Sequence, residues 1–182
     1  MNFLTRENAR EWLQSSKAYI TESDELQFHR SPNKSLRFGL PTEPTRLAQF
    51  CYRLINMIPK TTERMLYVQR WHTYPQDSLT FFESTRTGLG CKDFLVERPA
   101  HVIDRMLYLD FDARRSHDIR EESALSGLLM LTLCFDFSCF VIGQYSNDAL
   151  LYEDELILFL SDEKMQIDSA LSIANSFGLK VR

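Results

Sequence analysis

The feature that most restricts the fold of this chain is that two different spacings of apolar residues alternate along its 182 residues. Apolar side chains recur every third or fourth position at Leu47, Phe50 and Leu54, which is the spacing of one helix face. The run from Met65 to Trp71 is instead mostly apolar without that spacing, which is typical of a central strand. Because the two patterns alternate, helices and strands must share one core.

The same reasoning along the whole chain predicts five helices and five strands in mixed order. The helices are predicted after Thr5, from Pro44 to Met57, over 76–87, from Asp118 to Phe135 and from Asp162 to Phe177. The strands are predicted over 36–40, 65–71, 106–111, 138–143 and 155–161, with polar connections over 18–35 and 144–154. The last helix should pack one face on the sheet, formed by Ile167, Ala170, Leu171, Ala174 and Phe177.

These elements predict one globular domain spanning residues 1–182, since a chain of this length commonly forms a single domain. The mixed order of elements favours an α+β or α/β fold. We expect a single mixed β-sheet of about four to six strands covered by helices. No disulfide or metal is needed to stabilise a core of that size.

Composition indicates a cytoplasmic protein. The four cysteines have no CxxC spacing, so buried free thiols in a reducing compartment are expected at Cys51, Cys91, Cys134 and Cys139. The N-terminus lacks the apolar segment of a signal peptide. The longest apolar stretch, from Leu125 to Phe135, is shorter than the roughly 20 residues of a membrane span.

Charge is distributed unevenly along the chain. Residues 1–71 carry eleven Lys/Arg against seven Asp/Glu, whereas residues 146–182 carry three against seven. The net charge of −4 and the pI near 5.6 argue against a general nucleic-acid binder, which needs basic groups to neutralise phosphates. An acidic rim can instead steer a basic protein partner.

The densest set of potential metal ligands is Asp110, Asp112 and His117, whose carboxylate oxygens would suit magnesium or manganese. The other interpretation is a solvated loop in which Arg114 and Arg115 pair with these carboxylates. His72, His101 and Cys91 are isolated in sequence, and no phosphate-binding glycine motif is present. We therefore predict no catalytic, cofactor-binding or metal-binding residues, and keep a small enzyme or ligand-binding domain using Asp110, Asp112 and His117 as the alternative.

Two kinds of side chain are predicted to contact a protein partner. A strand ending in Trp71 and followed by Tyr74 would place aromatic anchors at a sheet edge, although Trp71 could equally close the core. The acidic residues between 148 and 163 would form a rim, or would serve only for solubility and helix capping. The predicted contact residues are Trp71, Tyr74, Asp148, Tyr152, Glu153, Asp154 and Glu155.

Residues 60–180 resemble small bacterial immunity proteins encoded beside secreted polymorphic toxins. The resemblance is carried by the strand to Trp71, a helix with Arg86, Glu97-x-Pro99-x-His101, a long apolar helix into Asp136-Phe137, and Glu153-Asp154-Glu155. The family often has His-Asp-Glu at the last of these positions. The resemblance implies a cytoplasmic antitoxin that binds a cognate toxin, which could have a basic cleft, and occludes its active site without a cofactor.

Overall fold

The computed structural model describes residues 2–4, 6–21, 25–58, 63–69, 107–111 and 119–182. Four helices lie within these ranges: α1 (Arg6–Gln14), α2 (Pro44–Ile55), α3 (Ile119–Cys134) and α4 (Lys164–Ser176). The strands are β1 (Asn2–Leu4), β2 (Ala18–Ile20), β3 (Leu26–Phe28), β4 (Lys34–Phe38), β5 (Arg64–Val68), β6 (Leu107–Phe111), β7 (Cys139–Gly143), β8 (Ala149–Glu153) and β9 (Leu156–Ser161). The helix predicted over 76–87 lies outside the described residues.

Seven strands form the main sheet in the order β1-β6-β5-β7-β8-β9-β4, and β2 and β3 form a separate hairpin. The α+β prediction is confirmed. The sheet is larger than expected, and each described strand pair is antiparallel rather than mixed. Short turns join β7 to β8 and β8 to β9, and consecutive strands joined in this way pair antiparallel.

Helices α2, α3 and α4 cover one face of the main sheet and enclose the larger hydrophobic cluster. The helical spacing that predicted α2 is confirmed, since Leu47, Phe50, Cys51 and Leu54 are all buried. They pack with α3 over sheet residues that include Leu66, Val141 and Phe159. Each fully buried leucine or phenylalanine of this kind stabilises the fold by about 1.5–3 kcal/mol.

The opposite face of the sheet is covered in part by α1 and the β2–β3 hairpin. The helix predicted after Thr5 is confirmed as α1, and its residues Ala9, Trp12 and Leu13 are buried against Met65 and Tyr67 of β5. Every residue of β5 and of β7 is buried, since these strands have a packed layer on both sides. The mostly apolar sequence of the predicted central strand follows from that position.

Two connections contain strands that the sequence did not predict. Residues 18–35 include the β2–β3 hairpin, and the polar loop predicted over 144–154 includes β8. β8 has the apolar core Ala149-Leu150-Leu151-Tyr152 between polar residues. Such a short apolar run is stabilised by pairing with β7 and β9, which local sequence does not reveal.

Helix α4 ends at the predicted place and packs its predicted face on the core through Ile167, Ala170, Ala174 and Phe177, with one exception. Gly178 has φ 69°, and the N–H groups of Gly178 and Leu179 donate to Asn175 and Ala174, which is a Schellman motif. The prediction for Leu171 is wrong, because 37% of this residue is exposed. Ile173 packs on the core instead, next to Ala174.

The three described cysteines, Cys51, Cys134 and Cys139, are free thiols, and the prediction that they are buried is wrong for Cys134. Cys51 and Cys139 are buried, whereas Cys134 is exposed. Cys91 lies outside the described residues. None of the helices in the described ranges is long and apolar enough to cross a membrane.

Candidate protein-binding site

The turn between β8 and β9 holds three consecutive carboxylates in a constrained backbone. Glu153 pairs with Leu156, so Asp154 and Glu155 form a two-residue hairpin loop. Their φ angles are 51° and 61°, which is the left-handed pair of a type I′ turn. All three acidic side chains are exposed. The turn therefore presents them from a rigid hairpin.

A fourth carboxylate lies at the same end of the sheet, at the C-terminus of α3. Asp136 has φ 55° and occupies the left-handed position of a Schellman motif, with Phe137 N–H donating to Thr132 at 2.7 Å. The hydroxyl of Tyr152 donates to Asp136 Oδ1 at 2.7 Å. This hydrogen bond connects the end of α3 to the end of β8.

Glu155 is also near this hydroxyl. Burial raises the pKa of Tyr152, and the hydrogen bond to Asp136 and the charges of Asp136 and Glu155 raise it further. Asp136, Glu153, Asp154 and Glu155 thus lie at one end of the main sheet, and we call them the acidic end. The sequence has no Lys or Arg between Arg120 and Lys164 to neutralise them locally.

Two of the predicted contact residues do not belong to this surface. Tyr152 is only 4% exposed and lies in the main core, so only its hydroxyl reaches toward the acidic end. Asp148 is 7% exposed and accepts a hydrogen bond from Ser146 Oγ at 2.6 Å. Asp148 directly precedes β8, whereas Glu153 is the last residue of that strand, so a distance of about 16 Å along the strand separates Asp148 from the acidic end. Both side chains are therefore buried and hydrogen-bonded within the fold, and a partner contact by either stays a prediction.

The carboxylate of Asp162 is also structural. It accepts hydrogen bonds from the backbone N–H of Asn33, at 2.9 Å, and from the side-chain amide of Asn147. The hydrogen bond from Asn33 lowers the pKa of the Asp162 carboxyl most, and the hydrogen bond from Asn147 lowers it further. Asp162 therefore joins the start of β4 to the turn before β8, at the end of the sheet opposite the acidic end.

Trp71, Tyr74, Asp112 and His117 lie outside the described residues. The backbone of Asp110 lies in β6, opposite Met65. Strand β5 ends at Val68, which is opposite Cys139, and Cys139 is opposite Tyr152. The chain thus leaves β5 at the end of the sheet that carries the acidic end. Within the described ranges, no three His, Cys, Asp or Glu side chains group in a way that could hold a metal ion.

A depression beside the acidic end was missed by the sequence reasoning. It has a volume of about 220 Å³ and lies on the face of β4, β8 and β9 opposite α4. Its lining residues, which we call the leucine depression, are Arg37, Leu151, Glu153, Asp154, Leu156 and Leu158. The leucines are half-buried, whereas Ile157 and Phe159 on the other face of β9 are fully buried. The sequence did contain a signal for this depression, since every residue from 156 to 160 is apolar. A strand with one solvated face usually alternates apolar and polar residues, so an unbroken apolar run indicates apolar side chains on both faces.

The turn leads to a prediction with opposite outcomes at two neighbouring positions. Glu155→Gly should raise the free energy of unfolding by about 0.5–1 kcal/mol, because glycine adopts the left-handed conformation without strain. Glu153→Gly removes the same kind of side chain from an extended strand and should lower the free energy of unfolding by about 0.5–1 kcal/mol. Urea unfolding of both variants measures the difference. Equal destabilisation by Glu155→Gly and Glu153→Gly would contradict the inference that the turn is strained.

Known proteins give no independent assignment of this surface. Comparison with protein-family models, with curated proteins and with solved structures finds no match to this chain. The resemblance to immunity proteins therefore stays a prediction, and a function has to be argued from the acidic end and the leucine depression.

Proposed function

We propose that this protein is a non-enzymatic cytoplasmic immunity protein that binds a cognate bacterial toxin and occludes its active site. The observation that carries the proposal is the acidic end, where four exposed carboxylates are held by a hairpin turn and a helix terminus. Exposed like charges repel each other and do not stabilise a fold. Their position at one end of the sheet is instead suited to a partner with a basic cleft.

Backbone strain supports a functional use of these charges. Asp136, Asp154 and Glu155 all adopt left-handed conformations that glycine would adopt at lower cost. Residues that violate local preference are typical of functional positions. Here the carboxylates occupy turns whose geometry needs no acidic group, and their rigidity lowers the entropy lost on binding.

Blocking a toxin requires affinity and coverage, and no chemical step. A basic cleft that binds an anionic substrate also attracts a protein that presents carboxylates at matching spacing. The alternative function, which uses Asp110, Asp112 and His117, has no observation in its favour, since these side chains lie outside the part of the chain that the structure describes.

Reversing two charges of the acidic end tests the proposal. We expect Glu153→Lys/Asp154→Lys to associate at least about tenfold more slowly with the toxin domain encoded beside its gene, because long-range attraction governs the association rate. The dependence of this rate on salt should also weaken. Surface plasmon resonance at two ionic strengths measures both quantities, and growth of toxin-expressing cells measures protection.

The matched control is Glu11→Lys/Asp168→Lys, which makes the same change in net charge at exposed positions of α1 and α4. It should associate like the wild type. Circular dichroism verifies folding of both variants. If the acidic-end variant and the control associate at equal rates, the acidic end is only a solvated surface and the proposal fails.

A further inference from the structure

We propose that the leucine depression receives an apolar side chain of the partner, carried on a segment in which Lys or Arg flank that side chain. This inference rests on the proposed function and assigns the partner chemistry at one part of its surface. It draws on the shape, the lining and the rim charges of the depression.

The strand register places the lining residues side by side. Leu151, Leu158 and Arg37 lie opposite one another across β8, β9 and β4. Glu153 and Leu156 form the pair two positions nearer the turn, so they point to the same face. The floor of the depression is therefore apolar, and Glu153 and Asp154 of the acidic end form its wall on the side of the turn.

The size of the depression excludes large ligands. About 220 Å³ is less than the roughly 300–1,000 Å³ of pockets that hold cofactors and drug-sized molecules. A single leucine, methionine or phenylalanine side chain is a suitable occupant. Interface anchors of this kind fill a small apolar pocket and are surrounded by polar contacts that exclude water.

The rim determines which residues flank this anchor. Glu153 and Asp154 stand on one side, so a Lys or Arg beside the anchor would pair with a carboxylate. Arg37 stands on the other side, where its backbone is fixed by two hydrogen bonds with Arg182. Its guanidinium can donate to carbonyl oxygens of the docked segment. A segment with acidic residues beside the anchor would be repelled by the turn.

The kinetics of two variants separate this inference from the steering role of the acidic end. Leu158→Gln and Leu156→Gln keep the charge and approximate size of the lining but remove its apolar character. We expect each to dissociate at least about tenfold faster from the adjacent-gene toxin domain, with an unchanged association rate. Met165→Gln makes the same kind of change at a residue of α4 that is 69% exposed and should leave dissociation unchanged.

If the wild type binds the toxin and both folded leucine variants dissociate at its rate, the inference is overturned and the proposed function stands. A wild-type dimer that Leu158→Gln converts to a monomer would assign the depression to a second copy and also overturn the inference. Nuclear Overhauser contacts in the free protein between the Leu158 methyl groups and residues 70–106 would also overturn the inference, because the chain itself would then occupy the depression.

If the toxin domain does not bind at all, the proposed function fails and a peptide tests the chemistry directly. The probe is the acetylated peptide Lys-Lys-Phe-Lys-Lys, with Lys-Lys-Ser-Lys-Lys as its control. Saturable NMR shifts of the Leu151, Leu156 and Leu158 methyl groups with the first peptide alone would support the inference. Absence of these shifts, or equal shifts with both peptides, would overturn it.

Discussion

Replacing Phe177 with alanine is expected to lower the free energy of unfolding by about 3–5 kcal/mol, the usual cost of removing a buried aromatic side chain. Phe177 is 8% exposed and packs edge-on against Phe50, with ring centroids 5.2 Å apart. The guanidinium groups of Arg46 and Arg53 lie 5.6 and 5.7 Å from the centre of its ring. The ring therefore joins the end of α4 to α2, and alanine would lose all of these contacts.

Urea unfolding followed by circular dichroism measures this loss, and Leu171→Ala is the matched control on the same helix. Because Leu171 is exposed, its replacement should change stability by less than about 1 kcal/mol. The order of the two variants is the decisive result. If Leu171→Ala were the more damaging of the two, the packed face of α4 would be misassigned.

Stability is expected to fall steeply between about pH 9 and pH 11, because two buried thiols resist ionisation only in the folded state. Burial raises the pKa of Cys139 from 9.0 to about 12. Burial also raises the pKa of Cys51, and the neighbouring Cys139 and Cys134 raise it further. The pKa of Tyr152 is raised in the same direction, chiefly by its burial.

The sign follows from proton counts in the two states. Above about pH 9 the unfolded chain releases protons from both thiols, while the folded protein retains them, so rising pH favours unfolding. Below about pH 9 both states hold these protons and the contribution to stability is complete. Each thiol then costs slightly more than about 1 kcal/mol per pH unit, or about 4–5 kcal/mol for the pair by about pH 11.

Urea unfolding in a reducing buffer at several alkaline pH values measures this slope. The double variant Cys51→Ala/Cys139→Ala should have a markedly flatter dependence, whereas Cys134→Ala, at an exposed position, should retain most of the wild-type slope. The slope is compared rather than the absolute stability, because alanine also leaves small cavities. An unchanged slope in the double variant would show that other groups cause the alkaline loss.

Local sequence was sufficient for the elements whose side-chain spacing is regular. Helices α1, α2 and α3 and strand β5 were predicted because a helix face or a fully buried strand requires its own spacing of apolar residues. The end of α4 at Phe177 was predicted, and the following Gly178 adopts the left-handed conformation in which glycine is favoured. The exposure of Leu171 was not predicted. The apolar spacing of this helix does not specify whether Leu171 or Ile173 packs on the core.

The acidic charges of the candidate site were visible in the sequence, but their grouping was decided by the tertiary structure. The existence of β8 separates Asp148 from Glu153, and the register of β7 with β8 brings Tyr152 beside Asp136 at the end of α3. Register also places Arg37 opposite Leu158, which creates the leucine depression. Such pairings join residues distant in sequence, so they depend on how strands pack and pair rather than on local preference.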